Sequence, residues 1–145
     1  MIMAQKEGDQ INQWTEEMTA IAALVAGSRT ERERMTSKVK VNMNLCGKTS
    51  IVEVTQTPEG TYKVQATTAC DNVKEFASGL EELTITDLID KRNSKVFDRM
   101  RVTKMSANCL VPAGILSAAW LEAGMIAQSN AKKNKENSVE FVFDQ

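Results

Sequence analysis

The chain has no histidine. That absence excludes Ser-His-Asp triads, Cys-His nucleophile pairs, imidazole proton shuttles and imidazole metal ligands together. Any metal would have to be held by cysteine, carboxylate or backbone oxygen. Aromatic residues make up 5% of the 145, too few for a platform on which nucleic-acid bases stack. Only two prolines occur, so there is no proline-rich linker. Neither sign of charge dominates. A formal net charge of -1 gives no global pull toward nucleic acid or anionic membrane.

Long apolar runs are missing as well. The stretch from Leu110 to Ala127 contains Pro112 and Glu122 and falls short of a bilayer span. The run from Thr19 to Gly27 follows Asp9, Glu16 and Glu17, where a secretory signal would carry basic residues. A cytoplasmic location is therefore expected, in a reducing compartment where structural disulfides are rare. The three cysteines agree with this, being odd in number and lacking any CxxC pair.

What is present reads as one domain with an arm, residues 1–36 and 37–145. In the arm, Ile11, Trp14, Met18, Ile21 and Val25 recur in steps of three and four, a heptad-like stripe on one long helix. Packing on its own domain is the simpler expectation for this stripe. Docking on a protein partner or on a second copy is the sharper one.

Beyond the arm, Val39, Val41, Met43 and Leu45 alternate with polar residues, as in a half-buried strand. Cys46-Gly47-Lys48 breaks it. A second strand over 50–57 turns inward Val52 and Val54, and Pro58-Glu59-Gly60 has turn chemistry. A third strand over 61–69 places Tyr62, Val64 and Ala66 on one face. Cys70 follows, with Asn72 and Glu75 as a candidate capping pair for a short helix. Thr84 and Asp87 form a second capping-box candidate, and a helix is expected over 94–105. Residues 129–137 read as an exposed polar loop. The alternation of Val139, Phe141 and Phe143 predicts a last strand. The expected architecture is α+β, a two-layer sandwich with an antiparallel sheet of about four strands, helices on one face, and an N-terminal helix.

The candidate site is built from Cys46, Cys70 and Cys109. In an up-down-up meander, Cys46 ends the first strand and Cys70 ends the third, so both lie at one end of the sheet. Neighbouring strands lie about 4.8 Å apart and next-nearest ones about 10 Å apart, within reach of a shared ion or cluster. Cys109 precedes Pro112, which suits the first position of a helix carrying Ile115, Leu116, Ala119, Trp120 and Ala123. A thiol at that mouth feels roughly half a positive charge from the helix dipole, so a lowered pKa is expected. Sulfur-only ligand sets suit an iron–sulfur cluster or zinc, and three cysteines are one short of a closed zinc site. Inert thiols with no cofactor are the alternative.

Cys46-Gly47, then Thr68-Ala69-Cys70 with Val73, then the segment from Cys109 through Pro112 to Leu116 resemble a family of small uncharacterised proteins from anaerobic bacteria and methanogenic archaea. The resemblance covers about 38–143 and leaves out the N-terminal helix. It implies an anaerobic setting and cysteines that act together, and it carries no assigned activity. Ser106 stands where that family tends to have histidine, and Leu110 where it has proline directly after the last cysteine. A lost histidine ligand would leave an open site, a substitute ligand or a retired one.

A small accessory protein with a three-cysteine metal or iron–sulfur site, serving a larger anaerobic enzyme system, is the leading functional expectation. A non-catalytic subunit docking through its N-terminal helix is the alternative. The basic run Lys91, Arg92, Lys95, Arg99, Arg101 and Lys104 is broken by Asp98 and reads better as a solvated helix face than as a nucleic-acid surface. Catalysis has the least support. Gly47-Lys48-Thr49 lacks the glycine spacing of a phosphate loop, and no carboxylate pair is placed about a substrate.

Overall fold

In a computed structural model, residues 13–21, 24 and 36–144 are described. A helix, α1, covers 13–21. Three long strands follow, β1 (Ser37–Met43), β2 (Lys48–Gln56) and β3 (Tyr62–Thr68), with a two-residue β4 (Glu82–Leu83). They form one antiparallel sheet in the order β1-β2-β3-β4. Between and after them come α2 (Asp71–Ser78), α3 (Ile85–Ile89), a 3-10 turn (Lys91–Asn93), α4 (Lys95–Val102), α5 (Val111–Glu122) and α6 (Gln128–Asn134). This is the expected α+β arrangement. No helix among the described residues is long and apolar enough to cross a membrane.

The period of two decides the layers. Val41, Val52, Val54 and Tyr62 are buried, while Lys38, Lys40, Lys63 and Gln65 on the same strands are exposed. On the outer face Lys38 and Glu53, direct cross-strand partners, form an ion pair at 3.0 Å. The inner face is covered by α5, through Val111, Ile115, Ala118 and Ala119, and by α2, through Val73 and Phe76. Burying each of these larger side chains stabilises the fold by about 1.5–3 kcal/mol.

Helix α5 crosses the sheet from end to end. At its start the Leu110 N–H reaches Met43 Sδ at 3.4 Å, beside the end of β1. At its finish the buried Glu122 accepts hydrogen bonds from Ser37 Oγ at 2.7 Å and from the Gln56 N–H at 3.1 Å. The helix therefore runs antiparallel to β1. It lies close to that strand because Gly114 is there: a Cβ at this position would collide with Val41 Cγ2.

Local chemistry sets the helix ends. Thr84 and Asp87 form the expected capping box, with Asp87 Oδ2 accepting from the Thr84 N–H at 2.8 Å. The buried Asp87 also uses Oδ1 to accept from the Lys95 N–H, and its carbonyl accepts from Ser94 Oγ, so one residue starts both α3 and α4. The end of α2 is closed by Arg99, whose guanidinium donates to the carbonyls of Glu75 and Phe76.

Three expectations are corrected. Residues 139–143 have no regular structure, because no neighbouring strand pairs with them among the described residues; the fourth strand is Glu82–Leu83. The segment 129–137 is largely helical, in α6. Helix α2 begins directly after Cys70, which is its N-cap residue, so Asn72 already lies inside it. The arm is only partly within the described residues: Ile11 and Val25 lie outside them.

Candidate functional site

The three cysteines sit where the chain reverses or a helix starts, all at the same end of the sheet. Cys46 lies in the four-residue turn between β1 and β2, closed by Gly47 N–H to Asn44 C=O at 3.2 Å. Gly47 has φ +64, a left-handed conformation that costs a glycine nothing. The neighbouring β3 ends beside the start of β2, since Ser50 pairs with Thr68. There the Ser50 hydroxyl donates to Thr68 Oγ1 at 2.8 Å, and Thr68 Oγ1 accepts from the Cys70 N–H at 3.1 Å. Cys109 precedes the Leu110 whose N–H meets Met43 at the end of β1. The meander thus brings Cys46 and Cys70 to one edge, and α5, running antiparallel to β1, delivers Cys109 to it.

The three thiols differ in environment. Cys46 is exposed, whereas Cys70 and Cys109 are half-buried against the rim of the core. All three are free thiols. Burial pushes the Cys109 thiol above its ordinary pKa; the Val111 N–H opposes this, and negative charge on Cys46 and Cys70 adds to the rise. The expected lowering by the helix dipole is therefore overturned. Leu110 is the N-cap and Cys109 lies one residue outside it, so desolvation outweighs what the helix start supplies. The same three-way coupling means that both other cysteines lie close enough to act on Cys109 electrostatically. It is not a preformed ligand cage. Among the described residues, no group of three or more His, Cys, Asp or Glu side chains is arranged to hold a metal ion.

The residues expected to bind a partner divide. Met18 packs against the core of its own chain. Trp14 lines an apolar groove of about 490 Å³ with Leu88, Phe97, Leu116 and Trp120, yet remains 51% exposed. Ile21 is exposed too, as is Leu24, which the heptad pattern did not include. At the mouth of this groove the Trp120 indole N–H donates to the Leu88 carbonyl at 2.9 Å, fixing α5 to α3. A groove between helices has no sequence signature, because its lining comes from four separate elements.

The basic run is dispersed by the fold. Arg99 turns inward onto the end of α2, Arg101 pairs with Asp98 at 2.8 Å, and Lys95 reaches the Glu82 carbonyl. These cations are spent on helix ends and local pairs.

A family model described as "Family of unknown function (DUF6951)" matches residues 37–134, which include all three cysteines and exclude α1. No curated protein and no solved structure matches the chain.

Proposed function

The chain belongs to this family of unknown function, and we propose that it is a small accessory protein whose Cys46, Cys70 and Cys109 together take up a thiophilic metal ion or an iron–sulfur cluster. One observation carries the reading: three free thiols from three separate segments lie at the same end of the sheet. A sulfur-only donor set selects zinc or an iron–sulfur cluster over hard cations. Lys48, next to the β1–β2 turn, would offset thiolate charge. The exposed turn carrying Cys46 would have to move to bring its sulfur into ligating range, since the three are not assembled as ligands beforehand. Three ligands leave one coordination position for a fourth donor from a partner or substrate. The resemblance to cysteine-bearing proteins of anaerobes supports the same reading, with a larger anaerobic enzyme system as the setting.

The test is a Co(II) titration of fully reduced protein under anaerobic conditions, repeated after reconstitution with iron and sulfide. Sulfur-to-metal charge-transfer absorption at one ion or cluster per chain is expected, and Cys46→Ser, Cys70→Ser and Cys109→Ser should each weaken it. Absorption that no single substitution weakens, or none at all, refutes the shared site.

A second reading, docking of a protein partner through α1, is favoured by the exposure of Trp14, Ile21 and Leu24. Removing residues 1–36 should then abolish association while the sheet domain stays folded. Undiminished association by the truncated chain would dismiss it.

A further inference from the structure

Two open features of the molecule fit one another. The first is the edge of β1. Its strand neighbour among the described residues is β2 alone, so no described strand pairs with the other side of this seven-residue strand, the arrangement of a sheet edge. On the other side of the sheet β4 pairs with β3 only at Tyr62 and Lys63, and its Glu82 is engaged through its side chain by Thr61 and through its carbonyl by Lys95. The second feature is the segment Val139–Phe143. Val139, Phe141, Val142 and Phe143 are between 61% and 85% exposed, four large apolar side chains within five residues. Water-exposed apolar side chains at this density mark an interaction surface.

We propose that Val139–Phe143 of one chain adds as a strand to the β1 edge of a second copy, and the reverse, giving a reciprocal dimer. The two segments share an alternating pattern, except that Val142 falls on the outward face opposite Asn42 or Lys38. In β1 the inward side carries Val39, Val41 and Met43, and the outward side carries Lys38, Lys40 and Asn42. In the added segment Val139, Phe141 and Phe143 alternate with Glu140 and Val142. The register that sets Glu140 opposite the exposed Lys40 also sets Phe141 beside a valine of β1, Val41 if the strands are parallel and Val39 if antiparallel. Val139 takes the other valine. A one-residue slip would put the phenylalanines on the polar face, so the pattern fixes the register.

The inner side of such a strand would meet the flank of α5 that overhangs β1. Gly114 touches Val41 there, and the half-buried Leu110 and Leu121 lie on the same flank. Lysines on an open edge ordinarily discourage unspecific pairing. Here Lys40 would do so while admitting a strand that brings its own carboxylate. A second copy is the occupant that closes both features at once, because within one chain the segment stays exposed while its own β1 edge is open. The segment lies outside residues 37–134, which match the family model.

Sedimentation equilibrium of the full chain tests this, together with a chain ended after Asn137, Phe141→Asp, Lys40→Glu, Glu140→Lys and the last two combined. The full chain is expected at twice its 16.0 kDa mass, and the shortened chain and Phe141→Asp as monomers with unchanged far-UV spectra. Each single charge reversal should weaken the dimer roughly fivefold, and the combined exchange should restore it. A full chain that stays monomeric at every concentration overturns the proposal. So does a shortened chain that still dimerises, or a monomer whose residues 139–143 are protected from hydrogen exchange by pairing with their own β1.

Discussion

Ser37 Oγ donates a 2.7 Å hydrogen bond to Glu122 Oε2, joining the first residue of β1 to the last residue of α5. Both residues are buried, at 7% and 2% exposure, so water cannot replace either partner. With the Leu110–Met43 contact at the other end, this bond fixes the line along which α5 crosses the sheet. Ser37→Ala should lower the unfolding free energy by about 1–2 kcal/mol, since a buried carboxyl group loses the Ser37 hydroxyl as a donor. Glu122→Leu should cost about 3 kcal/mol, because the Gln56 N–H then loses its acceptor as well. Urea denaturation followed by circular dichroism measures both; equal losses would show that the Gln56 bond contributes nothing.

Gly114→Ala should destabilise by about 1–3 kcal/mol through overpacking, as the new methyl would meet Val41 Cγ2. Val41→Ala removes that methyl and leaves a small void of its own. The double variant should therefore lose less than the sum of the singles. Thermal unfolding of the four proteins in the cycle decides it, and strict additivity would mean that the two residues do not touch.

Arg99→Met should cost about 1 kcal/mol, because the carbonyls of Glu75 and Phe76 at the end of α2 lose a cationic donor. Gly79→Ala should act through the same group, since its Cβ would stand 2.5 Å from Arg99 Nε. If so, Gly79→Ala adds little in an Arg99→Met background. A full extra loss in the double variant would assign the glycine a separate role.

The Cys109 thiol, held above its ordinary pKa chiefly by burial, should react late. With iodoacetamide at pH 8, exposed Cys46 is expected to be modified first and Cys109 more slowly, as peptide mass spectrometry can show. The sign of the stability effect follows from the proton count. Between the unfolded and the folded pKa the native thiol keeps a proton that the unfolded one has released, so stability falls as pH rises through that window. Below the unfolded pKa the term is flat. Cys109→Ala should remove this alkaline decline; an unchanged decline would place its origin elsewhere.

Much of the fold could be read from local pattern. The alternation along 38–43, the Pro58–Gly60 turn and the Thr84–Asp87 capping box all act within a few residues, and each stands where the pattern put it; Leu45, expected to continue the strand, lies exposed in the turn after it. The placement of Cys46 and Cys70 at one end was also legible, because a three-strand meander allows only one placement for the turn at Cys46 and the end at Cys70; that of Cys109 was not, since it follows from the path of α5 along β1. The strand expected over 139–143 shows the limit of that method. Its alternation is as regular as that of β1, but a strand exists only beside another strand, and no strand pairs with the segment among the described residues. β4 is the converse, two residues made into a strand solely by lying next to Tyr62 and Lys63.

The sequence by itself determined what chemistry the molecule can carry: no histidine, three thiols, a half-buried sheet and an amphipathic arm. Those depend on residue types and their spacing, which folding does not change. Only the tertiary structure decided how the pieces bear on each other. It committed Arg99 to a helix end, lined a groove with Trp14 and Trp120, and placed β1 at the edge of the sheet among the described residues. It also set the Cys109 pKa against the helix start, because the extent of burial depends on what other parts of the chain cover the thiol.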